Sequence, residues 1–363
     1  MNSVLRKLVL LLTVTFFIGC GSARKSHHQN TKVKFLSEYV LPDNTVVDNT
    51  LVGGLSGIDF NKGTYYLVCD DSKNPRIYEA SITIQENKIS EVKINKAIVL
   101  NTIPEFLDLE SIRFDSKENQ ILLTSEGSIR NGIDPLFFSI DSLGAKKSMF
   151  QLPSAFKANS IEKPRHNGTL EGLCMAYNQK GYWLGMELPL ESDGSEPKFT
   201  PTKSPVRITY IGAKTRQPKK QFGYFLDAVA KKPNGSFSVN GLTDLVELDN
   251  NIFLVLERSY SSGLGNQGNT IKLFKVDASK ATNILNMISL KNKTFVSATK
   301  TLLFDFEDFR DQLTDKSIDN IEGITLGPKL SNGHQSLILV SDNNFNTQGK
   351  QLNQFILLEL VED

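Results

Sequence analysis

One short motif recurs five times along this chain of 363 residues, and no other feature constrains its fold as strongly. Leu55-Ser56-Gly57-Ile58-Asp59 leads, after a turn at Asn61-Lys62-Gly63, into an apolar run at 65–71. Leu109-Glu110-Ser111-Ile112-Arg113 leads in the same way into 121–126, and Leu170-Glu171-Gly172-Leu173 into 182–187. Leu242-Thr243-Asp244-Leu245 leads into 252–257, and Ile321-Glu322-Gly323-Ile324 into 336–342. Each unit reads as a β-hairpin: an apolar strand, a turn rich in Gly, Asn or Asp, and a second apolar strand. Two more strand-like runs follow each of the first four units, at 76–82 and 92–100, 136–140 and 146–152, 206–211 and 220–226, and 271–276 and 301–306. After the fifth, only 354–360 remains, so the segment at 33–41 is the strand left to complete it. Four strands per unit around a ring make an all-β propeller, here closed by pairing the two ends of the chain, which removes free sheet edges.

Five blades follow from the strand count. A sixth, with a degenerate motif, would have to sit in the long third or fourth interval. The competing architecture, a sandwich or barrel with accidental likeness among hairpins, does not usually repeat one motif five times. Helix is expected only at 278–286 and 306–312. The longest loops are expected at 153–169, 189–205, 259–269 and 278–300.

The N-terminal segment reads as an export signal. Arg6 and Lys7 precede an apolar run at 8–18, which is too short to span a bilayer, and Gly19-Cys20 follows. Phe17-Ile18-Gly19-Cys20 resembles a lipobox, with Phe in place of the usual Leu. The expected division is a signal at 1–19, a lipidated Cys20 with a polar tether over 20–32, and one domain over 33–363. The alternative is a plain cleaved signal with a chance Cys. Gly21 and Ser22 offer no acid for inner-membrane retention, so the expected address is the outer membrane, on its periplasmic or outer face.

Lys and Arg number 41 against 40 Asp and Glu, so no charge excess points to nucleic acid. Cys69 and Cys174 each lie in an apolar strand pattern, where a buried thiol is expected rather than a disulfide. No His spacing fits zinc. The chain is expected to act as a monomer.

The first residue of a hairpin's first strand lies beside the last residue of its second. That rule pairs Glu110 with Glu126, Glu171 with Glu187, Asp244 with Glu257, Glu322 with Asp342, and Ser56 with Asp70 or Asp71. The first strand of each propeller blade lines the central channel, so the pairs converge on one mouth. Crowded carboxylates repel one another unless a cation sits among them, and an all-oxygen ligand set suits a hard ion such as calcium. The expected metal ligands are Asp70, Glu110, Glu126, Glu171, Glu187, Asp244, Glu257, Glu322 and Asp342. Glu110, Glu171, Glu322 and Arg258 are the expected catalytic groups. Arg165, His166 and Arg258 are expected to bind a phosphorylated or other ester substrate, with Arg258 or Arg165 steadying phosphoryl charge. Arg113, Lys73 and Arg76 lie next to the motifs on the same side. The structural alternative is that such residues cap backbone N–H groups of the neighbouring blade, since repeated residues usually solve a repeated packing problem.

Several stretches resemble a known family, the bacterial phytase-like proteins described as having esterase-like activity of phytase. They are Asp108-Leu109-Glu110-Ser111-Ile112, Leu170-Glu171-Gly172-Leu173, Glu187-Leu188-Pro189-Leu190 and Leu256-Glu257-Arg258-Ser259-Tyr260. The most specific follow near the C-terminus: Asn320-Ile321-Glu322-Gly323-Ile324, Leu339-Val340-Ser341-Asp342-Asn343-Asn344-Phe345, and Gln348. The resemblance implies a propeller-like domain in an exported bacterial protein with phosphoesterase or esterase activity. Two functions are therefore expected to compete: a calcium-dependent phosphoester or ester hydrolase, and a non-catalytic, lipid-anchored propeller that holds a ligand or partner. No nucleophile elbow or Ser-His-Asp order is present to add a third chemistry.

Overall fold

Alternating apolar residues in short runs, separated by turn residues, produce five four-stranded antiparallel sheets and one small hairpin. The computed structural model describes residues 31–362 apart from Asn101 and Gln348, so Cys20 and the export signal lie outside the described residues.

Blade I comprises Leu55–Asn61, Thr64–Cys69, Arg76–Gln85 and Lys88–Val99. Blade II comprises Leu109–Asp115, Gln120–Ser125, Leu136–Ile140 and Lys146–Met149. Blade III comprises Leu170–Met175, Gly181–Met186, Pro205–Gly212 and Pro218–Phe225. Blade IV comprises Ser238–Asp249, Ile252–Ser261, Asn269–Asp277 and Thr299–Asp305. Blade V comprises Asn320–Lys329, Gln335–Asp342 and Asn353–Val361, with Lys32–Leu41 as its outer strand. The N-terminal strand pairs antiparallel with the C-terminal one, from Lys32 opposite Val361 to Leu41 opposite Asn353. The chain ends thus close the ring as expected. There is no sixth blade among the described residues, and the long third and fourth intervals hold loops.

Apolar side chains from facing blades interlock to form the core, for example Trp183 of blade III edge-on to Phe253 of blade IV, with Phe222 of its own blade beside it. Cys69 and Cys174 are buried free thiols. The 306–312 segment is a 3-10 helix, Phe306–Gln312, capped by the Asp305 side chain. The 278–286 segment forms no helix. Its backbone instead ties to blade III, where Ile284 N–H donates to Gln221 O.

Inner strands of successive blades approach closely at the motif position after the polar residue. A Cβ on Gly323 would lie 2.9 Å from Gly57 Cα, and one on Gly57 would lie 2.8 Å from Glu110 O. A larger side chain would collide at these contacts, which is why Gly or Ser follows the motif's polar residue in four of the blades.

Candidate functional site

A β-bulge falls on the motif in every blade. The register shifts between Leu55 and Gly57, Leu109 and Ile112, Leu170 and Gly172, Leu242 and Asp244, and Ile321 and Gly323. A bulge inserts an unpaired residue and re-aims its side chain. The bulged residues are Ser56, Glu110, Glu171, Thr243 and Glu322, so blade IV contributes Thr243 to this position and not Asp244.

The second strands obey the same register. Leu55 faces Cys69, Leu109 faces Ser125, Leu170 faces Met186, Leu242 faces Glu257 and Ile321 faces Ser341. The next residues at the mouth are therefore Asp70, Glu126, Glu187, Arg258 and Asp342. Two rings of five positions surround the channel mouth, and blade IV breaks the acidic pattern in both.

Asp244 and Glu257 consequently leave the expected ligand set. Asp244 is fully buried on the channel axis in an ion pair with Arg113, at 2.8 Å. Glu257 turns into the seam between blades III and IV. There it accepts from Tyr224 Oη at 2.5 Å, Lys300 Nζ at 2.6 Å, Asn240 Nδ2 at 2.7 Å and Asp227 N at 3.0 Å. Four donors leave it no capacity for a metal, and its role is to bind two blades together.

The remaining carboxylates do converge. Asp108, Glu110 and Glu126 bring one oxygen each to within 4.8 Å of one another. Asn320 Nδ2 donates to Glu322 Oε1 at 3.0 Å and to Asp342 Oδ2 at 3.2 Å. Arg258 lies between Glu187 and Glu322, 3.4 and 3.3 Å from their Oε1 atoms. Glu110, Glu126, Glu171, Glu187, Glu322 and Asp342 are all buried.

Burial raises every one of these acids, and mutual repulsion adds to it for most of them. Glu110 is pushed well up by desolvation and then by Glu171, Glu126 and Glu322. Glu171 and Asp342 are raised well above the usual range for the same reasons. Burial lifts Glu126 to about 8, with Glu187 and Asp108 adding to it. Burial lifts Glu187 and Glu322 to about 7 against the pull of Arg258. Asp70 and Asp108 rise to about 6, again chiefly through burial. Arg258, with Arg76 acting on Asp70, does not balance eight carboxyl groups. Such a cup either holds protons or takes a cation.

The donor set fits a hard cation. It is all oxygen, and Glu126 Oε2 is buried without a hydrogen-bond partner among the described residues. Thr243 Oγ1 and Arg258 Nε are likewise buried and unpartnered.

The loop residues divide differently from expectation. Arg165 is spent on the 189–196 loop, donating to Pro189 O, Gly194 O and Glu196 Oε1, so it is a brace and not a free anion receptor. His166 keeps an unpartnered Nδ1, with burial and then Arg130 lowering its pKa. Arg76 is buried, bonding Asp71, Tyr78 and the carbonyls of Leu51 and Asn74. Asp108 and Thr243 stand at the mouth, where the sequence reading did not place them. Asp108 immediately precedes the motif leucine, a position the hairpin rule does not reach. A separate groove of about 260 Å³ at the outer edge of blade II, lined by Asp134, Leu136, Met149, Phe156 and Lys157, contains none of the ring carboxylates.

The likenesses to solved structures are distant. Glutaminyl cyclase from Myxococcus xanthus is 9% identical with a TM-score of 0.42, covering 91% of this chain and 97% of that one. A GH43 β-1,3-galactosidase is 10% identical with a TM-score of 0.48, covering 90% and 94%. The catalytic domain of a GH62 α-L-arabinofuranosidase from Coprinopsis cinerea is 10% identical with a TM-score of 0.42, covering 92% and 98%. No curated protein matches the sequence. Residues 50–345, containing both rings of the mouth, match the family Phytase-like, "Esterase-like activity of phytase", and the chain belongs to it.

Proposed function

We propose that the protein is an exported, lipid-anchored hydrolase of phosphoric or related esters whose carboxylate cup holds a divalent cation, with calcium the first candidate. The observation that carries this reading is the convergence of buried carboxyl groups at the mouth, with Asp108, Glu110 and Glu126 within reach of one ion and Arg258 paired to Glu187 and Glu322. Asp108, Glu110 and Glu126 would hold the ion, and Glu171 and Glu322 lie close enough to interact with Glu110. When bound, the ion would supply Lewis acidity toward an ester oxygen. Arg258, ordered by Glu187 and Glu322, would orient and steady the anionic end of the substrate. Glu187 and Glu322, held near neutrality, have the right proton affinity to hold or release a proton at working pH.

The expected result is turnover of p-nitrophenyl phosphate or a simple carboxylic ester in the presence of calcium. Chelation should abolish it, and Glu110→Gln should reduce kcat/KM by at least about 100-fold. Absence of turnover on every ester tried, with calcium present, contradicts the reading.

Burial of the cup favours one second reading, a binding propeller that holds its ion without turnover. Thermal stabilisation by calcium with no hydrolysis would establish it. Anchoring rests on Phe17-Ile18-Gly19-Cys20. Cys20→Ser should move the protein from the membrane fraction to the soluble fraction, and unchanged membrane association would refute lipidation there.

A further inference from the structure

One buried ion pair contacts all five blades at one level of the channel. Arg113 Nη1 donates to Ile58 O of blade I at 2.8 Å and to Ile112 O of blade II at 2.7 Å. Arg113 Nη2 donates to both carboxylate oxygens of Asp244 in blade IV, and to Leu245 O and Ile324 O. Asp244 accepts from the backbone N–H groups of Leu173 in blade III, Leu245 in blade IV and Ile324 in blade V. Ile58, Ile112, Leu173, Leu245 and Ile324 stand in one register. Each lies two residues beyond the bulged residue of its own blade, about 7 Å further along the strand.

We propose that Arg113 and Asp244 are positioning residues for the carboxylate cup: they fix the radial spacing of the five inner strands directly beneath it, and through that spacing set its affinity for a cation. The proposal rests on the cation-binding reading of the mouth. Asp244 occupies the position that is Gly57, Ser111, Gly172 and Gly323 in the other blades, so one blade alone carries a side chain long enough to reach the axis. Both partners are buried at this level of the channel. No carboxylate of the cup touches the pair, so its influence runs through backbone alone.

A second buried pair provides the control. Arg207 and Asp193 meet at 2.6 Å, equally buried, at the outer side of blade III, where Arg207 also bonds Gln221 and Met287 O. Calcium affinity and melting temperature would be measured on the full chain for the native protein, Asp244→Asn, Arg113→Lys and Asp193→Asn. All three substitutions should lower the melting temperature. Only Asp244→Asn and Arg113→Lys should weaken calcium binding, by roughly 10- to 100-fold, the usual cost of losing a group that orients metal ligands. Native affinity in a folded Asp244→Asn or Arg113→Lys protein would overturn the inference, as would an equal loss in Asp193→Asn. If Asp244→Asn does not fold, Arg113→Lys, which keeps the charge, decides alone. A native protein that binds no calcium overturns the functional reading and this inference with it.

Discussion

A chain lacking residues 31–41 is expected to lose cooperative unfolding altogether. That segment supplies the outer strand of blade V, paired along its length with Asn353–Val361. It also reaches its neighbours. Ser37 Oγ accepts from Ile89 N of blade I, and Phe35 stacks on Phe309 beside blade IV. Glu38 accepts from Gln354 Nε2 and from both the amide and hydroxyl of Thr314. Each backbone hydrogen bond contributes about 1 kcal/mol net. Losing the ladder and its side-chain ties therefore removes several kcal/mol, a large part of the roughly 5–15 kcal/mol typical of a whole domain. The ring would open between blades V and I, exposing an unpaired edge. Urea denaturation followed by far-ultraviolet dichroism checks this. A single sharp transition at nearly the native midpoint would contradict closure by the chain ends.

The second large effect is a stability that falls as pH rises in the metal-free protein. Each acid of the cup has a folded pKa above its unfolded value of about 4. The folded state therefore binds more protons than the unfolded state across the interval between the two, and stability declines with rising pH there. For Glu126 the window runs from the ordinary glutamate range to about 8, and for Glu187 and Glu322 to about 7. Asp70 and Asp108 close their windows near 6. A tenfold difference in proton affinity between the folded and unfolded chain is worth about 1.4 kcal/mol. Because these groups titrate together, a decline of several kcal/mol between about pH 5 and about pH 8.5 is expected, less than the sum over the separate carboxyl groups. The chelated protein should melt at its highest temperature near pH 5, unlike most proteins of balanced charge. A flat or rising melting temperature over that range would mean that the carboxylates are not crowded as described.

The propeller was legible because hydrophobic periodicity and turn residues repeat with the motif. The fifth blade's missing strand could be found only by looking to the other end of the chain. The mouth positions were legible in four blades and misread by one residue in blade IV. There, Thr243-Asp244 and Glu257-Arg258 each place an acid next to the true ring position, and a pattern of acids selects the wrong member of both pairs. Only the bulge between Leu242 and Asp244 distinguishes them, and the residue types of blade IV do not mark which residue it falls on. The same step hid the Arg113–Asp244 pair, whose partners are 131 residues apart and read separately as a rim cation and a mouth ligand. Arg165 illustrates a different limit. An arginine in a long loop beside a motif has the look of an anion receptor, and only the fold of 189–196 shows its donors already engaged.

Titration of calcium into the chelated protein at pH 8, followed by calorimetric melting, tests most directly whether the mouth is a cation site. A saturable rise of the melting temperature is expected, large at pH 8 and small at pH 5, where protons already neutralise the cup. Glu126→Gln should weaken it, because Glu126 Oε2 is a carboxylate oxygen of the cup buried without a partner among the described residues. No calcium-dependent shift at pH 8, or a shift that Glu126→Gln and Glu110→Gln leave unchanged, would show that the ion does not bind among these carboxylates.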